Sequence, residues 1–107
     1  MNKLDFMSLG KKAVQAYIYK AYGIALGLRD LIMSSYTNNS EGQIGKYRIE
    51  PWAKDQTLFQ NIYQVNFVSA SKKFQVFEWK VNDYDSFEPS YILATSQTIE
   101  DSIKKNH

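Results

Sequence analysis

The sequence predicts an α+β domain, a long N-terminal helix packed on a four-stranded antiparallel meander, and three observations carry that prediction. Apolar residues recur with a period near 3.6 from residue 7 to residue 36. Beyond residue 43 the period drops to two, and clusters of turn-forming residues punctuate the second half of the chain. With 107 residues, 44% of them apolar, and only five glycines and two prolines, the chain fits a single domain over residues 1–107 that can bury a core of its own.

The helix is expected over residues 7–36, with Asp5 or Ser8 as its N-cap. At 100° per residue, Val14, Tyr17, Ile18, Ala21, Ile24, Ala25, Leu28 and Ile32 share one side and form the expected core face. A helix of that length would run about 44 Å, against a domain about 30 Å across, so it must overhang or break. Gly23 and Gly27 are the expected kink sites, because glycine is a poor helix former. On the opposite side, Ala16, Gly23 and Gly27 would form a small-residue groove flanked by Tyr19 and Leu26. Such a groove lets another backbone come close, so these five residues are the expected partner-binding face. Its occupant would be another protein, a second copy of the chain in a homodimer, or the chain's own C-terminal segment.

Residues 34–42 read as a loop, and the sheet is expected over 43–95. Tyr47 and Ile49 alternate with Lys46, Arg48 and Glu50 before Pro51 stops the first strand. Tyr63, Val65 and Phe67 share a face of the second strand. Phe77, Trp79 and Val81 share a face of the third, and strand phase assigns Phe67, Phe77 and Trp79 to the core. The fourth strand runs from Phe87 to Thr95, and Pro89 within it implies an edge position or a late start. In the tail, residues 96–107, the stretch Gln97–Lys105 could form a short helix capped by Thr98, with a frayed end as the alternative.

The available chemistry is narrow. Without cysteine there is no disulfide, thiolate metal site, iron–sulfur cluster or cysteine nucleophile. The one histidine is His107, the last residue, a poor place to hold a general base. Asp83 and Asp85, with Glu88 nearby, read as a solvated turn, lacking the glycine and the distant glutamate of a calcium loop. Glu50, beside Pro51 and Trp52, reads as a strand-end charge facing water. No catalytic residue, metal or cofactor is therefore expected. Thirteen basic and eleven acidic residues give a net charge of +2, spread so that no basic run exceeds two residues. On that pattern nucleic acid is not an expected partner. No signal peptide is read at the N-terminus, and the most apolar window, Ala13–Met33, holds Lys20, Arg29 and Asp30, so no membrane span is expected.

Eight tyrosines, six phenylalanines and two tryptophans exceed what a core of this size needs. Tyr19, Tyr22, Tyr36, Tyr84 and Tyr91 have no obvious interior place. They suit a binding face, or they ring a small core with their hydroxyls in water. The expected function is accordingly a non-enzymatic protein-interaction module. The alternative is a small apolar ligand held between helix and sheet, lined by Tyr17, Tyr63, Phe77 and Trp79.

Asn61-Ile-Tyr-Gln-Val-Asn-Phe-Val68, the Lys72-Lys73 turn, Phe77-Glu-Trp-Lys-Val-Asn82 and Glu88-Pro89 carry a family likeness. Residues 61–95 resemble the closing meander of small bacterial extracytoplasmic domains with cystatin-like or nuclear-transport-factor-like folds. Asp83-Tyr84-Asp85-Ser86 stands where such domains usually have a glycine-rich turn. The resemblance implies a helix across a curved antiparallel sheet and a non-enzymatic module, commonly exported or anchored. It also implies a setting in envelope, secretion, conjugation or mobile-element systems, as a scaffold or a small-ligand pocket.

Overall fold

Asn2 opens the first element: its Oδ1 accepts the Asp5 N–H at 2.8 Å, which makes Asn2, and neither Asp5 nor Ser8, the N-cap of helix α1, Lys3–Tyr22. Gly23 closes the helix in the left-handed conformation, φ 72°, and its N–H donates to the Tyr19 carbonyl at 2.8 Å. The structure, a computed structural model, describes residues 1–79 and the backbone of the strand Glu88–Thr95. The expected helix over 7–36 is thus corrected at both ends. Its first half is present, and Val14, Tyr17 and Ile18 do form the buried stripe, joined by Phe6, Leu9 and Ala13. Twenty residues span about 30 Å, which fits the 35 Å length of the molecule where 44 Å would not.

The second half of the expected helix is a strand. After Gly23 the chain crosses to a 3₁₀ turn, Leu28–Asp30, whose Asp30 carboxylate accepts the Gly27 N–H at 2.7 Å. Strand β1, Leu31–Asn39, follows, in residues first read as helix end and loop. Ile24, Leu28 and Ile32 stand at helical spacing, but Leu26 and Leu31 are the residues buried here. The run Leu-Ile-Met-Ser-Ser-Tyr-Thr is rich in aromatic and β-branched side chains, and pairing with the next strand outweighs its helical spacing.

The four expected strands are β2, Gly42–Ile49; β3, Ile62–Val68; β4, Lys73–Trp79; and β5, Glu88–Thr95. The sheet has five strands, counting β1, in the order β1-β2-β3-β4-β5, all antiparallel. Pro89 lies in edge strand β5, where a missing N–H costs no ladder bond on the outer side. The expected C-terminal helix, Val81, Asp83, Asp85 and His107 lie outside the described residues.

Register assigns the faces. Across the rows Tyr47–Tyr63–Glu78, Gly45–Val65–Val76 and Gln43–Phe67–Phe74, side chains point toward α1. Phe74 stacks on Phe6 with ring centroids 6.3 Å apart and tilts against Phe67 at 4.9 Å, while Tyr63 meets Tyr17 at 5.9 Å. The core face of β4 is therefore Phe74 and Val76. Phe77 and Trp79, expected in the core, lie half-buried on the opposite face. Two apolar sets alternate along β4, and only the register with Val65 and Phe67 decides which one meets the helix.

Two glycines set the depth of the helix on the sheet. The Tyr47 ring lies against Gly10, where a Cβ would overlap the phenol, and a Cβ at Gly45 would stand 2.7 Å from the Phe6 ring. Gly10→Ala is therefore expected to destabilise by about 1–3 kcal/mol, the cost of overpacking a full core, in urea unfolding. Among the described residues, Lys72, in the β3–β4 turn, is the non-glycine residue with positive φ, 53°. Lys72→Gly should gain up to about 1 kcal/mol in the same assay. The left-handed penalty of about 1–2 kcal/mol is removed, less about 0.5–1 kcal/mol for the freer unfolded glycine.

Candidate functional site

The five residues expected to form one partner-binding groove do not share a helix face. Ala16 and Tyr19 lie on the exposed side of α1, and Tyr19 is 63% exposed. Gly23 is the C-cap, Leu26 is buried in the core, and Gly27 holds Asp30 beyond the helix. The groove is broken by the left-handed turn at Gly23, which sends the chain back to the sheet. The residues expected to line a ligand cavity are separated too. Tyr17 and Tyr63 are buried against each other between helix and sheet, while Phe77 and Trp79 sit on the far side of the sheet. Among the described residues, buried aromatic rings occupy the space between helix and sheet.

The structure assembles a polar cluster that the sequence did not reveal. Tyr22, in the last turn of α1, donates to the Glu78 carboxylate, 2.7 Å from Oε1 and 2.6 Å from Oε2. Tyr63, across from Glu78 in the β3–β4 register, donates to Oε2 at 2.9 Å. Asn61 Nδ2 donates to the same oxygen at 3.4 Å and to Tyr63 Oη at 3.3 Å. The partners lie up to 56 residues apart, so no spacing motif announces them. Burial first, then the hydrogen bond to Glu78, raises the Tyr22 phenol well above its ordinary value. Burial, reinforced by the Glu78 charge, raises Tyr63 further, against the lowering effect of Asn61. Both phenols thus stay protonated as donors at neutral pH, and the cluster ties the end of α1 to β3 and β4.

Tyr47 is the second buried phenol. Its Oη donates to the Phe6 and Met7 carbonyls, at 3.3 and 3.2 Å, and burial raises its ionisation well above the ordinary tyrosine value. The Glu50 side chain is largely covered, and its backbone joins the chain reversal: Glu50 N–H donates to Asp30 O at 2.7 Å, and Ala53 N–H to Glu50 O at 3.1 Å.

Exposed apolar side chains collect at the end of the molecule where α1 finishes. Among the described residues the exposed large ones are Met1, Leu4, Tyr19, Tyr22, Ile32 and Trp52. Four of these six share that end. Tyr19 and Tyr22 occupy the last turns of α1, Ile32 starts β1, and Trp52 follows β2 in the turn after Ile49. The Leu31–Ile49 pair holds the start of β1 to the end of β2, and the Tyr22–Glu78 bond holds the end of α1 to β4; Ile32, paired with Arg48, lies on the sheet face turned away from α1. Trp52 is 69% exposed. Among the described residues no group of three or more His, Cys, Asp and Glu could hold a metal ion, and no helix is long and apolar enough to cross a membrane.

Comparison with protein-family models, curated proteins and solved structures finds no match.

Alkaline pH tests the buried phenols. In the unfolded chain tyrosine ionises near pH 10, while Tyr47 and Tyr63 keep their protons to higher pH in the fold. Because the folded state binds more protons there, their contribution is full below about pH 10 and is lost as pH rises through the folded values. Thermal melts should show stability falling above about pH 10, with phenolate absorbance from these two residues appearing only on unfolding. Tyr63→Phe should cost about 1–3 kcal/mol at neutral pH, for a lost hydrogen bond to a carboxylate, and flatten the alkaline decline. A buried phenol titrating in the folded state would contradict this account.

Proposed function

We propose that the chain is a non-enzymatic protein-interaction module that self-associates through the end of the molecule where α1 finishes. The observation that carries this reading is the exposure of Tyr19 and Tyr22 on the last turns of α1, with Trp52 exposed in the turn after β2 at the same end of the sheet. Tyrosine and tryptophan supply large contact area at low entropic cost and dominate interface energetics. Tyr22 adds order: its hydroxyl is anchored on Glu78, so its ring is held in place before any partner arrives. Of the groove first read from the sequence, Ala16 and Tyr19 are exposed together on α1. A setting in a bacterial envelope or mobile-element system belongs to the same proposal and is supported by the resemblance of residues 61–95.

A filled core supports this reading over a ligand pocket. The interior between α1 and the sheet is occupied by Phe6, Tyr17, Tyr47, Tyr63 and Phe74, each at most 7% exposed. The side chains available for recognition are on the outside.

Light scattering across a concentration series tests the proposal. The wild-type chain is expected to shift from monomer to dimer as concentration rises. Tyr19→Ala and Trp52→Ala are expected to weaken the dimer about tenfold each, as interface anchors do. Both positions are exposed, so circular dichroism should show the fold intact. A monomer at every concentration, or a dimer indifferent to both substitutions, would overturn self-association through this end.

A further inference from the structure

Strand β1 is an edge of the sheet, and it lacks the devices that usually guard one. It runs nine residues, Leu31–Asn39, without a charge or a proline. Unpaired N–H and C=O groups on such an edge recruit a further strand, so proteins commonly blunt it with one or the other. The opposite edge, β5, has Pro89. β1 has a bulge between Met33 and Ser35, which leaves Ser35–Asn39 as a regular stretch. Among the described residues no strand pairs with its outer side.

The ladder decides which groups point outward. Ser69 N–H donates to Glu41 O at 3.3 Å, one step beyond the Gly42–Val68 pair. Gly42 therefore turns its own backbone groups away from β3 and toward Asn39. By alternation Thr37 also faces β2, and the N–H and C=O of Tyr36 and Asn38 are left on the outer edge.

We propose that this edge pairs antiparallel with the same edge of a second copy of the chain, with Thr37 on the two-fold axis. The paired stretch, Ser35–Asn39, excludes Ile32, and the inference does not depend on the self-association proposed at the end of α1. In this register Tyr36 of each copy exchanges both ladder bonds with Asn38 of the other. Thr37 meets its counterpart in a close non-hydrogen-bonded pair, a favourable cross-strand combination. A two-fold sets residues near the axis against their own kind, so a charged edge would repel its copy, and β1 has no charge to repel. The exposed side chains Ser35, Thr37 and Asn38 each combine donor and acceptor, so like can bond to like. Pro89 deprives the outer side of β5 of a donor, which disfavours β1 of one copy adding to β5 of the next and closes the pairing at two. A ladder of this length falls short of the roughly 1,200 Å² of a stable interface, so the pair is short-lived and is best read by trapping it.

The chain has no cysteine, so a single one placed on β1 reports the pairing by itself. Full-length Thr37→Cys, oxidised with diamide, is expected to give a disulfide-linked dimer. Across a non-hydrogen-bonded pair the two Cα atoms stand about 4.5 Å apart, within disulfide reach. Ser35→Cys is equally exposed, but in this register its two copies lie about 14 Å apart, and it should cross-link at least tenfold more slowly. Adding Asn38→Pro to Thr37→Cys removes an outward N–H and no bond to β2. The fold should persist by circular dichroism while cross-linking slows at least tenfold. The bridge reads a position within β1, so its failure leaves the α1 end standing, and loss of association at that end leaves the bridge. A Thr37→Cys chain that stays monomeric, which would leave the edge to a foreign strand or to residues 96–107, overturns the proposal. Equal cross-linking by Ser35→Cys, or a rate indifferent to Asn38→Pro, overturns it too.

Discussion

The contact between Tyr47 and the first turns of α1 is the constraint on which the rest of the structure depends. Tyr47 is fully buried, and its hydroxyl donates to the carbonyls of Phe6 and Met7 in the helix backbone. That is achievable only because Gly10 has no Cβ to occupy the space of the phenol and Gly45 leaves room for the Phe6 ring. Helix and sheet approach closely at this point, and the other rings pack around it: Phe6 against Phe74 and Tyr36 at the N-terminal end, Tyr17 against Tyr63 toward the C-terminal end. The phenol also satisfies its own polar atom, which a buried tyrosine must do to avoid a desolvation penalty. A phenylalanine at 47 would keep the ring and lose that anchor.

The Glu78 cluster is the counterpart at the other end of the helix. Gly23 ends the helix one residue after Tyr22, so the anchored phenol and the chain reversal fall together. The Gln15 side chain, which donates to the Leu26 carbonyl, fastens the returning segment to the helix it has left. Leu26 and Leu31 then enter the core from outside the helix, closing the volume that a longer helix would have filled with its own side chains. The break at Gly23 therefore exchanges a second half-helix for a fifth strand while keeping the apolar burial continuous.

What the sequence disclosed and what it withheld follow from the range of the interactions involved. Periods of 3.6 and 2 are local, so the α+β class, the strands β2 to β4 and the buried stripe Val14, Tyr17 and Ile18 were legible. The residues from Gly23 to Asn39 were misread because Ile24, Leu28 and Ile32 continue a helical spacing, and the deciding event is the pairing of Leu31–Asn39 with β2. Strand phase was legible for β3 but not for β4, where Phe74 and Val76 compete with Phe77 and Trp79 for the core. Only the neighbouring strand resolves that choice. Tyr22, Asn61, Tyr63 and Glu78 could not be connected from spacing at all. Of the tyrosines with no obvious interior place in the sequence, Tyr19 and Tyr22 are exposed, while Tyr36 packs partly buried against Phe6.

A two-layer fold of this kind has an unavoidable asymmetry. One helix covers one face of a five-stranded sheet, so the rings of Tyr47, Tyr63 and Phe74 are fully buried beneath it, while Phe77 and Trp79 on the other side are half-buried. Apolar side chains facing water without purpose invite aggregation, and proteins of this size generally break such faces with charge. Here Lys46 does so in a specific way. Its ammonium is drawn across β3 onto the Trp79 ring, and its methylene stem passes over the middle of the sheet near Gln64, which is buried although no described element crosses that side. Lys46 thus solubilises an aromatic side chain and at the same time places a cation beside it.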